Sequence, residues 1–565
     1  MKEQKQVSVS MMYGRSFLIR IYFIFSFLAF LFPILLHAAD PAFYIDLPMT
    51  DGTKIATDVY LPKDGPGPWP TILVRSTYGR YVGREDGYVK DGYAVVVQDV
   101  RGMGMSEGEK HVFYTDTWRP GLMDGKDTAA WINAQPWCNG KIGTTGGSAL
   151  AMTTMLLSPA THDLAAQTYS VTPSNFYTDT CYHGGVLRKN LMEGWLTAIG
   201  QPHIIDFYKG HPYFDDFWKY YDVVSRAQDI TAPAVFNAQW FDIFLQGTIN
   251  GFMSRELNGG PGARGNNYLV IRAGTHNGNE RSPDFRFNKN RNSVPSGGLN
   301  RAFFECHLKG DTEALKNYAK VYYYVFGDDR APNAPGNEWR TADTWPPFPT
   351  VPTSYYLSED NSLSDSLPSA QTASQGYIFD PNDPYPTNGG GNLFYNIPRG
   401  PHDQRKNSTV RKDLLKFASA PLTGPVEVTG RLTVKLWVST DAPDTDFTAM
   451  LLDIFPKGDE REINIQDSIQ RVKMRETLEK PAPLLTSSDQ IVPIEIDLQS
   501  TSWIFNTGHR IGLHISSSNY PRYEVNANTG ADHPDGQELR VAHNRVHMDK
   551  EHPSAIVLPI RPPGQ

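Results

Sequence analysis

The feature that most constrains this chain is a rhythm. Short apolar runs at 71–75 and 94–100, and a short glycine-bounded run at 141–145, are separated by helix-compatible stretches, and the runs 234–237 and 269–273 resume the pattern after an interruption. Runs of this length, without polar alternation, suit parallel strands buried on both faces, with the connecting helices packed over them. A hairpin is predicted ahead of them, with Asp51-Gly52 turning between 43–47 and 55–60. A helix is predicted over 124–134, ending before Pro136, and another over 149–157 directly after the glycine-bounded run 141–145. A last helix is predicted over 299–308. The fold class is therefore α/β, with a mostly parallel sheet.

At 565 residues the chain exceeds one compact core, since single domains usually hold roughly 50–250 residues. The segment 182–229 is rich in Tyr, Phe and Trp and reads as a helical cap that could overhang a site. Past 420, short alternating runs at 426–428, 432–438, 447–454, 492–498 and 510–516 predict an antiparallel β-sandwich of jelly-roll type. The expected division is 1–39 signal peptide, 40–181 and 230–345 as the two parts of the α/β unit, 182–229 as the cap, and 346–565 as linker and sandwich.

Lys2, Lys5, Arg15 and Arg20 precede the apolar run 21–36 and the small residues Ala38 and Ala39, the pattern of a secretory signal cleaved near Ala39. An uncleaved anchor is the competing reading. Beyond residue 40 no apolar stretch is long enough to cross a membrane, so the mature protein is expected in the periplasm or medium, without stable membrane insertion. The formal charge of -8 comes from 53 basic and 61 acidic residues without long blocks of one sign, which excludes the basic stripe of a nucleic-acid binder. Three cysteines, Cys138, Cys181 and Cys306, cannot frame a disulfide-built fold and match no common zinc spacing. Cys138 with Cys181 is the pair that could close a local link, leaving Cys306 free, and buried thiols that fill space are the alternative for each.

Gly146-Gly147-Ser148 stands where a buried strand gives way to a helix, a tight turn that lifts a serine hydroxyl above the sheet and aims the amide of Ala149 at a developing oxyanion. A full elbow motif carries glycine at 150, where this chain has Leu150. A serine at its ordinary pKa needs a base, and the base needs an acceptor to hold its tautomer. Asp242 follows the run 234–237, and His276 follows 269–273 within Gly274-Thr275-His276-Asn277-Gly278. Among 15 histidines His183 is the rival base, while Asp215 and Asp216 are the rival acids. Placement after a strand favours Asp242 and His276.

At these residues the chain resembles the cocaine esterase and X-prolyl dipeptidyl peptidase (CocE/NonD) group of serine hydrolases, which includes the α-amino acid ester hydrolases. Further landmarks are Leu73-Val74-Arg75-Ser76-Thr77-Tyr78, Gln98-Asp99-Val100-Arg101-Gly102, Gln135-Pro136-Trp137, Trp240-Phe241-Asp242, His307-Leu308-Lys309-Gly310 and Gly508-His509-Arg510. The resemblance implies an α/β-hydrolase core with a helical cap, followed by an all-β jelly roll of galactose-binding-like type. It implies that Ser148 is the nucleophile, Asp242 the orienting acid and His276 the base, and that Tyr78 donates to the oxyanion beside the amide of Ala149. No cofactor or metal is needed, and Asp444 and Asp446 are read as turn and strand-end residues. The chain departs from the family at Ala149 and Ala151, where tyrosine and glycine are usual, so the resemblance carries the chemistry over without carrying the customary substrate with it.

The expected activity is hydrolysis of an ester or amide bond through an acyl-enzyme, on a small molecule or short peptide. X-prolyl dipeptidyl aminopeptidase or α-amino acid ester hydrolase activity is the second reading, and a non-catalytic binding protein the third. Ile243, Phe244, Leu245 and Gln246 follow Asp242 where the α-amino acid ester hydrolases place carboxylates, so a neutral aryl or alkyl acyl group is expected. Nothing in the sequence sets the oligomeric state.

Overall fold

The computed structural model describes residues 40–81, 86–278, 281–394 and 396–562. The signal predicted over 1–39 lies outside the described residues, among which no helix is long and apolar enough to cross a membrane. The Asp51-Gly52 turn forms as its sequence demands. Gly52 adopts φ +85° and its N–H donates to the Met49 carbonyl over 2.8 Å, which brings β1 (Phe43–Pro48) back as β2 (Lys54–Tyr60), antiparallel.

Next come β3 (Trp69–Ser76), β4 (Ala94–Asp99), β5 (Cys138–Gly147) and β6 (Leu164–Ser170). A small hairpin, β7 (Tyr182–His183) with β8 (Val186–Leu187), stands apart, and β9 (Ala234–Phe241), β10 (Tyr268–Thr275), β11 (Val321–Val325) and β12 (Glu338–Ala342) complete the main sheet. The strand order is β1-β2-β4-β3-β5-β6-β9-β10-β11-β12, with every pair from β4 to β11 parallel.

The connecting helices are α1 (Asp86–Lys90), α2 (Asp124–Asn133), α3 (Ala149–Leu157), α4 (Lys189–Ala198), α5 (Ile204–Lys209), α6 (Leu245–Asn258) and α7 (Leu299–Lys309). Successive strand residues point to opposite faces, and here both faces are dry. Ile72 and Val74 pack with Leu299, Phe303 and Phe304 of α7, whereas Leu73 and Val96 pack with Ala129, Ile132 and Leu157 of α2 and α3. This is why the runs read as continuously apolar.

The aromatic segment between β6 and β9 is not uniformly helical. It opens with the β7–β8 hairpin, continues through α4 and α5, and ends in two 3-10 turns, Trp218–Tyr221 and Val224–Asp229. Its rings pack mainly on one another: Tyr177, Tyr182, Tyr208, Phe217 and Trp218 make stacked, edge or tilted contacts with centroids 4.9–6.2 Å apart.

The C-terminal unit holds β13 (Val351–Leu357), β14 (Ser362–Ser364), β15 (Ser374–Phe379), β16 (Leu415–Ser419), β17 (Val426–Thr440), β18 (Asp446–Ile454), β19 (Glu462–Arg471), β20 (Val492–Phe505), β21 (Arg510–Ser516), β22 (Ala542–His547) and β23 (Ala555–Ile560). They form one hydrogen-bonded path, β15-β22-β17-β23-β13-β14-β16-β21-β18-β19, with β20 also on β17. The pairs are antiparallel except β14 with β16. The runs 426–428 and 432–438, read from sequence as two strands, are one strand: Gly430 at φ +133° and a register shift at Leu432/Thr433 let the chain bend without leaving the sheet.

The Cys138–Cys181 link is not made. All three cysteines are free: Cys138 packs with Val59 and Ile142 in one cluster and Cys181 with Tyr177 and Tyr182 in another. Asp444 and Asp446 stand at the start of β18, where the Arg471 Nε bonds Asp446 over 2.9 Å and the Asn526 amide bonds both carboxylates. The two units are joined through backbone: Phe326 donates to Ser502 over 3.0 Å, and Ile504 donates back to Phe326 over 2.9 Å.

Candidate active site

β5 ends in Gly146-Gly147, and Ser148 caps α3 at φ 53°, ψ -124°, a conformation that an L-residue holds only when its surroundings enforce it. The turn is tight enough that a Cβ at 146 would lie 2.6 Å from the Leu150 carbonyl carbon, so glycine is required there. Leu150 itself needs no glycine. Its side chain packs in the cluster of Val74, Val97 and Phe304.

Asp242 follows β9. Its Oδ1 accepts the Phe244 N–H over 2.6 Å, fixing the carboxylate, and its Oδ2 lies 2.6 Å from His276 Nδ1. His276 follows β10, in a turn where Gly278 takes φ +90° and donates to the Thr275 carbonyl over 2.9 Å. The other ring nitrogen, Nε2, lies 2.8 Å from Ser148 Oγ. Both side chains are shielded, Asp242 wholly and His276 to 6% exposure. A carboxylate can only accept, so Nδ1–H donates to Asp242 and Nε2 is left to accept from the serine. The Phe244 ring stands edge-on to the imidazole, 5.6 Å between centroids.

Tyr78 lies just past β3, its N–H bonded to Ser76 Oγ over 3.1 Å and its phenolic oxygen accepting the Trp195 indole N–H over 2.9 Å. Burial pushes the phenol pKa up, so it stays protonated and keeps a proton to give. Ala149 is the first residue of α3, where amides have no acceptor within their own helix.

The rivals fall elsewhere. His183 is buried in the β7–β8 hairpin with Nδ1 2.9 Å from the Tyr523 hydroxyl, and desolvation holds its pKa well below the ordinary value. Asp215 pairs with His211 over 2.6 Å and caps Phe217, while Asp216 is exposed beside Lys219.

Two contributors escaped the sequence reading. Trp195 was one aromatic among many, with nothing in its spacing to mark it as the partner of Tyr78. The other is the segment around Gly389-Gly390-Gly391, from the C-terminal unit, which reaches the site. A Cβ at 391 would lie 2.9 Å from the Asp242 carbonyl oxygen, Gly400 faces Thr275, and the Phe394 ring lies against Gly194 of α4. The triple glycine was the one available signal, because a backbone packed that closely admits no side chain.

A family model for the X-Pro dipeptidyl-peptidase (S15 family) matches residues 51–203, and one for the X-Pro dipeptidyl-peptidase C-terminal non-catalytic domain matches 314–557. Cocaine esterase of Rhodococcus sp. (strain MB1 Bresler) is 34% identical over 91% of this chain and 97% of its own length. Among solved structures, an aminopeptidase from the marine sediment archaeon Thaumarchaeota archaeon superposes with a TM-score of 0.77 at 22% identity, covering 94% of this chain and 98% of that one. An α-amino acid ester hydrolase superposes with a TM-score of 0.73 at 23% identity, covering 94% and 99%. At those identities the two structures speak for a shared fold. With a relative 34% identical over nearly its whole length and family models matching both parts of the chain, the chain belongs to the cocaine esterase and X-Pro dipeptidyl-peptidase group of hydrolases.

Proposed function

We propose that this protein is an exported serine hydrolase that cleaves carboxylic esters or amides of neutral aryl or alkyl acids through an acyl-enzyme. The observation that carries the reading is the continuous array from Asp242 through His276 to Ser148, 2.6 and 2.8 Å, with the serine held on a positive-φ turn. Ser148 Oγ attacks the carbonyl carbon while His276 Nε2 takes its proton. The oxyanion receives the Ala149 N–H and the Tyr78 O–H, which serve the transition state more than the ground-state carbonyl. His276 returns the proton to the departing alcohol or amine. It then deprotonates the water that releases the acid and restores the serine.

The segment from β7 to Asp229 acts as the cap, and the strands from β13 onward form the jelly roll. The neutral-acyl preference rests on the residues after Asp242. Ile243, Phe244 and Leu245 are buried apolar groups, and the Gln246 amide is engaged by Asn250 and Ser500 at 2.9 and 2.8 Å. An ammonium held there would lack the opposite charge that offsets desolvation.

A fluorophosphonate is expected to label the protein once, at Ser148, and Ser148→Ala is expected to lose the label and most of kcat with an unchanged circular dichroism spectrum. Comparable ester turnover in the variant would reject the assignment. An unlabelled parent would favour a binding protein instead.

A further inference from the structure

Arg188 sits between β8 and α4, 1% exposed. Its Nη1 donates to the Asp179 carbonyl and its Nη2 to the Ile243 carbonyl, the latter over 3.0 Å, while Nε is buried without a hydrogen-bond partner. Both acceptors are carbonyls, so a buried guanidinium is held beside the triad acid without a carboxylate in contact. That is an expensive arrangement for a group whose only task is packing. One acceptor belongs to the residue after Asp242, in the turn that Asp242 Oδ1 closes through the Phe244 N–H.

The groups that interact with this cation are Asp179, Cys181, His183, Asp242, Arg522 and Tyr523. Arg522 is matched by Asp467 at 2.6 Å. Burial keeps His183 neutral and pushes Cys181 and Tyr523 up, so none of the three contributes charge near neutral pH. Asp179, itself raised by burial, already accepts from the Ser174 and Asn175 amides at 2.9 and 2.8 Å. Burial lowers Arg188 to about 10, opposed by Tyr523, Asp242 and Asp179, and the guanidinium stays charged.

We propose that Arg188 is a positioning residue for the triad: it pins the 242–244 turn by the Ile243 carbonyl and places a buried positive charge beside the triad acid. The proposal rests on the hydrolytic reading of the same three residues. Removing a nearby positive charge makes an imidazolium easier to form, so the acid limb of kcat/KM moves to higher pH.

The test is kcat/KM on one activated ester from pH 4.5 to 8.5 for the full chain, Arg188→Lys, Arg188→Gln and Arg188→Met, with circular dichroism on each. The neutral variants are expected to lose about tenfold in kcat, and to move the acid-limb midpoint up by about half a pH unit or more. Arg188→Lys, which keeps the charge, is expected to hold the parent midpoint. A uniform loss at every pH with the midpoint unmoved would overturn the proposal. So would a lysine variant that shifts as far as the neutral ones, or failure of both neutral variants to fold, since each marks a structural role. Retained turnover in Ser148→Ala sinks the hydrolytic reading itself, an outcome separate from any of these.

Discussion

The indole N–H of Trp195 donates to the phenolic oxygen of Tyr78 over 2.9 Å, across 117 residues of sequence. The indole is held in turn by a parallel stack on Phe113, 5.5 Å between centroids and 6° between planes. With its oxygen occupied as acceptor, the phenol is oriented to spend its proton on something else. Tyr78→Phe is therefore expected to slow acylation by about 10²–10³, roughly 3–4 kcal/mol, with little change in substrate affinity. Trp195→Phe, which leaves the donor but frees it to rotate, is expected to cost about tenfold. Pre-steady-state acylation rates decide both, and an unchanged rate in Tyr78→Phe leaves the residue as packing.

His276→Ala is expected to abolish turnover, whereas His183→Ala is expected to stay active and lose stability. The second histidine bonds Tyr523 in a buried contact between the hairpin and the C-terminal unit, and its removal takes one hydrogen bond from a hydroxyl that keeps Ser468 as a partner, at a cost of about 1 kcal/mol. Activity on one activated ester at neutral pH, beside urea denaturation, separates the two effects. An inactive, well-folded His183→Ala would show that the base has been misassigned.

Matched esters of phenylacetic acid and phenylglycine, with one leaving group, test the acyl preference. With Ile243, Phe244 and Leu245 after the triad acid, the neutral member is expected to have the higher kcat/KM. Preference for the amino-bearing ester by more than about tenfold, roughly 1.4 kcal/mol in the transition state, would turn the assignment toward amino acid ester hydrolysis.

His509 gives the fold a pH dependence. Its Nδ1 lies 2.7 Å from Asp453 and its Nε2 3.2 Å from Asp328, which joins the end of β11 to the C-terminal sheet. Burial opposes the imidazolium, but the hydrogen bonds and charges of Asp328 and Asp453 outweigh it and push the pKa up to about 9. A folded pKa above the unfolded value of about 6.5 means that the stabilisation is complete below pH ~6.5 and is lost as pH rises through about 9. The loss is expected to be of order 1–3 kcal/mol. Urea midpoints between pH 6 and 10 should fall in the parent and stay flatter in His509→Gln. Parallel curves for the two proteins would remove His509 as the cause.

Much of the architecture was legible because it depends on neighbours along the chain. A short apolar run between turn signals suits a buried strand, and Asp51-Gly52 favours a tight turn because glycine takes the positive φ it needs. The order of Ser148, Asp242 and His276 could be read for the same reason, each residue standing where a strand stops. The pattern failed where a segment's own residues do not decide its state. In β19 the polar Asn464, Gln466, Asp467 and Gln470 are buried against other parts of the structure, so the strand does not announce itself by alternation. The chain 426–440 is one strand because its partners span the glycine bend, a fact carried by β20 and β23 and not by the bend. Cys138 and Cys181 stay apart because separate clusters claim them. Sequence alone determined the sheet-forming runs, the serine turn and the candidate triad. Only tertiary structure decided that Trp195 orients Tyr78, that Gly391 backs Asp242 and that Arg188 holds the next carbonyl, because those contacts join segments whose local periodicities carry no information about one another.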